Sequence, residues 1–171
     1  MKKFKPQGGL AALEVVIVAA IAAIFATVAV PNAARILGKV QLDYEMKRLY
    51  STLNLARSLG KSSAYNPAIF NGKLVDGYSS RIEMTIRKDN DTVAKNSYEI
   101  QIVGKSEKYY QHDLRGGVKL SFSGGSPFTV NFDDANKYSS ANSKTFTLTS
   151  KFGEAYIISD SVGRFRGTYE K

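Results

Sequence analysis

One uncharged run, Val15 to Val30, with a single carboxylate in front of it decides most of what this chain can fold into. Three lysines (Lys2, Lys3, Lys5) open the chain, Gly8 and Gly9 follow, and Leu10-Ala11-Ala12-Leu13-Glu14 leads into the run. Leu10 to Val30 is about 21 residues, and a helix needs about 20 apolar residues to cross the hydrocarbon core of a bilayer. Lysines ahead of such a span keep the N-terminus cytoplasmic and send the remainder across. Glu14 falls inside the span, where a charge costs about 2.5–3.5 kcal/mol on insertion scales. A carboxylate kept there is read as functional, and its partner has to be identified. An ordinary signal anchor, or a signal peptide cut near Ala26-Thr27-Val28-Ala29, accounts for the apolar run. Neither gives Glu14 or Gly8-Gly9 a role.

Gly8-Gly9, an apolar residue, and a glutamate at the fifth position counted from that residue resemble the leader of type IV pilins and type II secretion pseudopilins. The resemblance implies that a prepilin peptidase cuts between Gly9 and Leu10 on the cytoplasmic side, and that Leu10, the new terminus, is N-methylated. Pro31 stands where that family commonly has a proline, and a bend of the long helix is expected there. Leu10 and Ala11 depart from the usual Phe followed by Thr or Ser, so the methylated residue is an unusual one. The freed α-amino group has an ordinary pKa near ~7.7–8.0 and is largely protonated at neutral pH. Glu14 of an incoming subunit then pairs with the Leu10 amine of its neighbour and sets their axial stagger.

The 171 residues leave room for one further domain. With no cysteine, disulfides and thiolate metal sites are excluded. The formal charge of +9 falls by three, to +6, without Lys2, Lys3 and Lys5. In the 35–61 segment Arg35, Lys39, Lys47, Arg48, Arg57 and Lys61 face only Asp43 and Glu45, a net of +4. Such an excess suits anionic partners (lipid headgroups, acidic subunits, nucleic acid) or simply makes a solvated helix face.

After Pro31, Leu42, Met46, Leu49, Leu53 and Ala56 recur at spacings of four and three, one stripe of an amphipathic helix. One helix is expected from Leu10 to about Lys61, stopped near Gly60 and Asn66-Pro67. Loop residues follow through 80, and then period-two patterns begin. These are Ile82/Met84/Ile86, Tyr98/Ile100/Ile102, Val118/Leu120/Phe122, Phe128/Val130/Phe132 and Phe146/Leu148. A sixth has either Ala155/Ile157 or Tyr156/Ile158 inward, and a seventh is at Phe165. Half-buried strands joined by turns make an antiparallel sheet with one apolar face, which the helix stripe covers. The expected class is α+β: leader 1–9, transmembrane helix 10–30, amphipathic continuation 31–62 and β-sheet domain 63–171.

The Leu49–Leu59 segment, Leu114-Arg115-Gly116-Gly117-Val118 and the ending Gly163-Arg164-Phe165-Arg166 resemble the GspH/FimT branch of minor pseudopilins and minor pilins. That resemblance implies an inner-membrane, single-pass protein with a periplasmic sheet domain. Its partners are prepilin peptidase, other pilins or pseudopilins and the assembly platform. It assembles into a type IV pilus or a type II secretion pseudopilus. Some FimT-like minor pilins bind DNA through a Gly-Arg-x-Arg ending, which makes Arg164 and Arg166 candidate DNA contacts. Two arginines two residues apart on a strand share a face, and Lys151 or Lys171 is the expected extension of the strip. The plain alternative is an exposed strand face, or arginines paired with Glu154, Asp160 or Glu170.

Catalytic chemistry finds no support. His112 is the chain's one histidine and, beside Asp113, reads as structural or solvated rather than as part of a Ser-His-Asp set. Gly60-Lys61-Ser62 and Gly104-Lys105-Ser106 lack the earlier glycine of a phosphate-binding loop, with Leu55 and Glu99 in its place. Asp89-Asn90-Asp91 lacks the glycine and distal glutamate of a calcium loop and reads as a hairpin turn, and Asp133-Asp134 reads as a loop. No cofactor and no metal are expected.

Overall fold

The structure, a computed structural model, describes residues 8–65, 82–92, 95–102, 108–132, 144–160 and 163–169, with helix side chains from 12 to 60. The side chains of Gly9–Leu10 and of 61–65, most of the expected 64–80 loop, Asp133-Asp134 and Lys171 lie outside the described residues. The chain divides into two compact units, Met1–Leu37 and Gly38–Lys171. One helix, α1 (Gly8–Tyr65), contributes to both and contains Pro31.

In the first unit every described side chain from 12 to 37 is exposed, including Val15, Ile17, Phe25 and Val28. The segment is long and apolar enough to cross a membrane. Its one hydroxyl, that of Thr27, donates to the Ile24 carbonyl at 2.7 Å and so asks nothing of its surroundings.

In the second unit the helix buries Leu42, Met46, Leu49, Leu53 and Ala56, the stripe expected from their spacing. The strands pair antiparallel but divide into two four-stranded sheets. The first contains β1 (Ile82–Arg87), β2 (Ser97–Ile102), β3 (Lys108–Asp113) and β5 (Phe128–Phe132), in the order β3-β2-β1-β5. The second contains β4 (Lys119–Phe122), β6 (Lys144–Ser150), β7 (Gly153–Ser159) and β8 (Phe165–Thr168), in the order β4-β6-β7-β8. On β7 it is Ala155 and Ile157 that are buried.

Both sheets and the helix stripe share one core. Phe122 of β4 packs against Phe128 of β5 with ring centroids 5.8 Å apart, and Phe132 of β5 against Phe165 of β8 at 6.4 Å. Asn96 staples the sheets together. It sits in the β1–β2 turn at φ 56°, its Oδ1 accepts from the Leu120 amide at 2.7 Å, and its Nδ2 donates to the Val118 carbonyl. The primary amide thus pairs with β4 much as a strand would, and asparagine tolerates the left-handed backbone.

Strand β3 is absent from the sequence expectation. Lys-Tyr-Tyr-Gln-His-Asp has no aliphatic alternation, so His112 reads as loop; aromatic β-propensity and pairing to β2 decide otherwise, with Tyr98 opposite His112.

Candidate functional site

Three places in the described residues carry chemistry. The first is Glu14, exposed on α1 among apolar side chains. Among the described residues it has no hydrogen-bond or ion-pair partner.

The second place is a buried carboxylate that sequence reasoning counted only as a charge. Glu45 is 0% exposed. Its Oε2 lies 2.7 Å from His112 Nε2, while Oε1 accepts from Gln41 Nε2 at 3.1 Å and from the Arg115 amide at 3.3 Å. Tyr98 packs against the imidazole with ring centroids 5.2 Å apart and planes tilted by 58°. With its hydrogen on Nε2 the imidazole donates to the carboxylate. Gly116 completes the clasp: its φ is +66°, and a Cβ there would meet the Gln41 side chain at 2.2 Å. Helix, β3 and the 114–117 turn therefore meet on one carboxylate. A signal existed: Glu45 is three residues after Leu42 and four before Leu49, on the apolar stripe itself.

Next to β3, Glu99 is held between Arg87 at 3.1 Å and Lys108 at 2.6 Å. Burial pushes its carboxyl up, but the hydrogen bonds and charges of Lys108 and Arg87 outweigh that and hold it below the ordinary carboxylate range.

The third place is a groove of about 520 Å³ lined by Ile158, Asp160, Arg164, Phe165 and Arg166. Arg164 immediately precedes β8 and Arg166 is paired with Ile158; both are exposed. Asp160 accepts from the Arg164 backbone amide at 2.8 Å. Glu154 instead accepts from the Tyr156 hydroxyl at 2.5 Å, and Glu170 lies outside the described residues. Lys151 does not extend this strip. It sits in the β6–β7 turn, whereas Arg164 follows the β7–β8 turn at the other end of β7.

Among the described residues no group of three His, Cys, Asp or Glu side chains could hold a metal ion. His112 is spent on Glu45 rather than on a nucleophile.

A long N-terminal helix, apolar at its front and covering antiparallel sheets at its back, is the type IV pilin fold. The structure of the type IV minor pilin FimU from Pseudomonas aeruginosa strain PAO1 is similar, with TM-score 0.53 and 15% identity, over 74% of this chain and 92% of the other. No family model and no curated protein sequence matches the chain.

Proposed function

We propose that the chain is a minor pilin or pseudopilin, a structural subunit of a type IV pilus or a type II secretion pseudopilus. The leader is cut between Gly9 and Leu10 by prepilin peptidase, and Leu10 is methylated. The exposed apolar half of α1 holds the subunit in the inner membrane, with residues after it in the periplasm, until the assembly platform passes it into the filament. Pro31 is the point where α1 bends. The filament is an open, heterologous assembly.

Glu14 carries this reading. A carboxylate in an apolar helix with no partner among the described residues calls for one on another chain, and the protonated Leu10 amine of a neighbouring subunit has the right charge. FimU is described as a type IV minor pilin, which supports the same role here. Glu14→Ala is expected to leave membrane insertion and cleavage after Gly9 intact and to abolish incorporation into filaments. Recovery of that variant in sheared filaments at the wild-type level would refute the role. Neighbouring genes separate the two systems: a secretin and secretion ATPase with several pseudopilins, or pilus retraction and competence genes.

A second reading rests on Arg164 and Arg166. Both guanidinium groups are exposed on one groove and, among the described residues, neither is in an ion pair. Guanidinium suits phosphate by bidentate donation, so the subunit contacts DNA there. The test is a mobility shift with detergent-solubilised full-length protein. Retardation that weakens with salt, and is lost in Arg164→Gln/Arg166→Gln, supports it; none in the wild type refutes it.

A further inference from the structure

The sheet face that carries Arg166 also carries one aromatic ring. On β7, Ala155, Ile157 and Ser159 are buried, so Tyr156 and Ile158 alternate onto the outer face. On β8, Phe165 is buried, and a Cβ at Gly167 would meet the Met46 sulfur of the helix at 2.9 Å. Arg166, between them, therefore points away from the core. On β6, Phe146 and Leu148 are buried, which leaves Thr145 and Thr147 outward. Register sets these side chains beside one another. Arg166 is opposite Ile158, which is opposite Thr145; Thr168 is opposite Tyr156, which is opposite Thr147. Tyr156 and Arg166 are thus diagonal neighbours on directly paired strands, about 7–8 Å apart and within reach of long side chains.

Tyr156 is singled out by its surroundings. Among the described residues of the four strands it is the one aromatic side chain on the outer face of the second sheet. It is half-buried and its hydroxyl donates to Glu154 at 2.5 Å, so the ring is fixed on the face before anything binds. Along β7 the outward order is Glu154, Tyr156, Ile158, with Arg166 beside Ile158. Asp160 follows, and its amide donates to the Arg164 carbonyl at 3.0 Å. The ring therefore lies between a carboxylate at one end and two guanidinium groups at the other. Asp160 shares the arginine end, with Oδ1 accepting from the Arg164 amide. A strand of phosphates is drawn to the arginines and repelled from Glu154. That polarity directs the attached bases toward the ring.

We propose that Tyr156 is a stacking platform for an unpaired base, and that the partner of this face is a single-stranded nucleic acid whose phosphates follow Arg164 and Arg166. The inference rests on the nucleic-acid reading of those arginines and names the form of nucleic acid they hold. A sheet face with an aromatic ring beside cations binds single strands by stacking a base on the ring and neutralising its phosphate. In a duplex the bases are paired and stacked on one another, so none is left for the ring. Ile158 extends the apolar surface beside the ring, and the Thr145 and Thr147 hydroxyls border it as donors and acceptors for base edges. Losing one stacked base weakens binding about 5- to 150-fold. It leaves the slope of log K against log salt concentration unchanged, whereas each phosphate neutralised on a single strand contributes about 0.7 to that slope.

The experiment measures binding of full-length protein in non-ionic detergent to a fluorescent single-stranded oligonucleotide, and to a duplex of the same sequence, across a salt series. The variants are Tyr156→Ala, Tyr156→Leu, Tyr156→Phe and Arg164→Gln/Arg166→Gln. Tyr156→Ala is expected to weaken single-strand binding about 5- to 150-fold with the salt slope and the duplex affinity unchanged. Tyr156→Leu, which keeps apolar bulk on β7 and so guards against a folding defect, weakens it too, and Tyr156→Phe retains it. The arginine pair lowers the slope by about 1.4. Single-strand affinity unchanged in Tyr156→Ala overturns the platform; if the arginine pair still lowers the slope, nucleic-acid binding at the groove stands without it. A loss in Tyr156→Ala that Tyr156→Leu restores also overturns the platform, since bulk alone then suffices. So does a loss shared by Tyr156→Phe, or one equal on single strand and duplex. If the Tyr156 variants lose affinity and the arginine pair does not, the platform stands and the groove reading fails. If the wild type binds neither form, both fall.

Discussion

Removing His112 exposes what the buried Glu45 contributes. In His112→Ala the carboxylate, 0% exposed, keeps the Gln41 and Arg115 donors but loses its shortest bond and its one partner able to carry charge. Removing one partner from such a buried pair costs about 3–5 kcal/mol. The lost packing of Tyr98 on the imidazole adds roughly 0.5–1.5 kcal/mol. Domains are stable by only about 5–15 kcal/mol, so His112→Ala is expected to lose about a quarter or more of the total. The apolar double variant Glu45→Leu/His112→Leu removes the stranded charge with its partner and is expected to recover most of that loss. Guanidinium unfolding of the full chain in non-ionic detergent, followed by near-ultraviolet circular dichroism, measures both; with no Trp in the chain the signal comes from tyrosines such as Tyr98. A loss below about 1 kcal/mol in His112→Ala, the value of a solvated pair, would refute the reasoning. So would a double variant less stable than the single one.

Gly116→Ala forces a side chain into a left-handed backbone and against Gln41, and is expected to cost at least about 1–2 kcal/mol in the same unfolding assay. Asn96→Gly keeps the turn's backbone freedom but strands the Val118 carbonyl and the Leu120 amide; a loss of about 1–3 kcal/mol is expected, and unchanged stability would show that the staple contributes nothing. Glu99 has a carboxyl pKa lowered in the folded state, so its stabilisation is present above the unfolded value near ~4.3 and is lost as pH falls through the folded one. Glu99→Gln is therefore expected to flatten the decline of stability below about pH 4, measured as unfolding midpoints against pH.

The fold was legible wherever side chains obey a period. The 4-3-4-3 spacing from Leu42 to Ala56 located the buried helix face, and alternation located seven of the eight strands. Strand β3 escaped because Tyr, Gln and His show no apolar period; its inward face is formed by Tyr110 and by His112, whose burial depends on Glu45 far away in sequence. The division into two sheets was also illegible, since alternation says which face is buried and nothing about which strand lies beside which. For the sites, charge type was readable and charge balance was not. Lys151 and Lys144 look alike in the sequence, yet register puts one at the far end of the sheet from Arg164 and the other at the same end, two strands away. Glu45 was counted among surface charges because composition treats every carboxylate as solvated.

The clasp around Glu45 also constrains how related chains can diverge. Gln41 and His112 bond the Glu45 carboxylate and Gly116 abuts Gln41, although these positions are separated by up to 75 residues in the 171-residue chain. A homologue that replaces Glu45 with an aliphatic residue no longer needs a donor at 112. One that shortens Gln41 can accept a larger residue at 116 only where the backbone leaves its left-handed conformation. The four positions should therefore change as a set, and an alignment in which they vary independently would mean that other members hold the turn to the helix by a different contact.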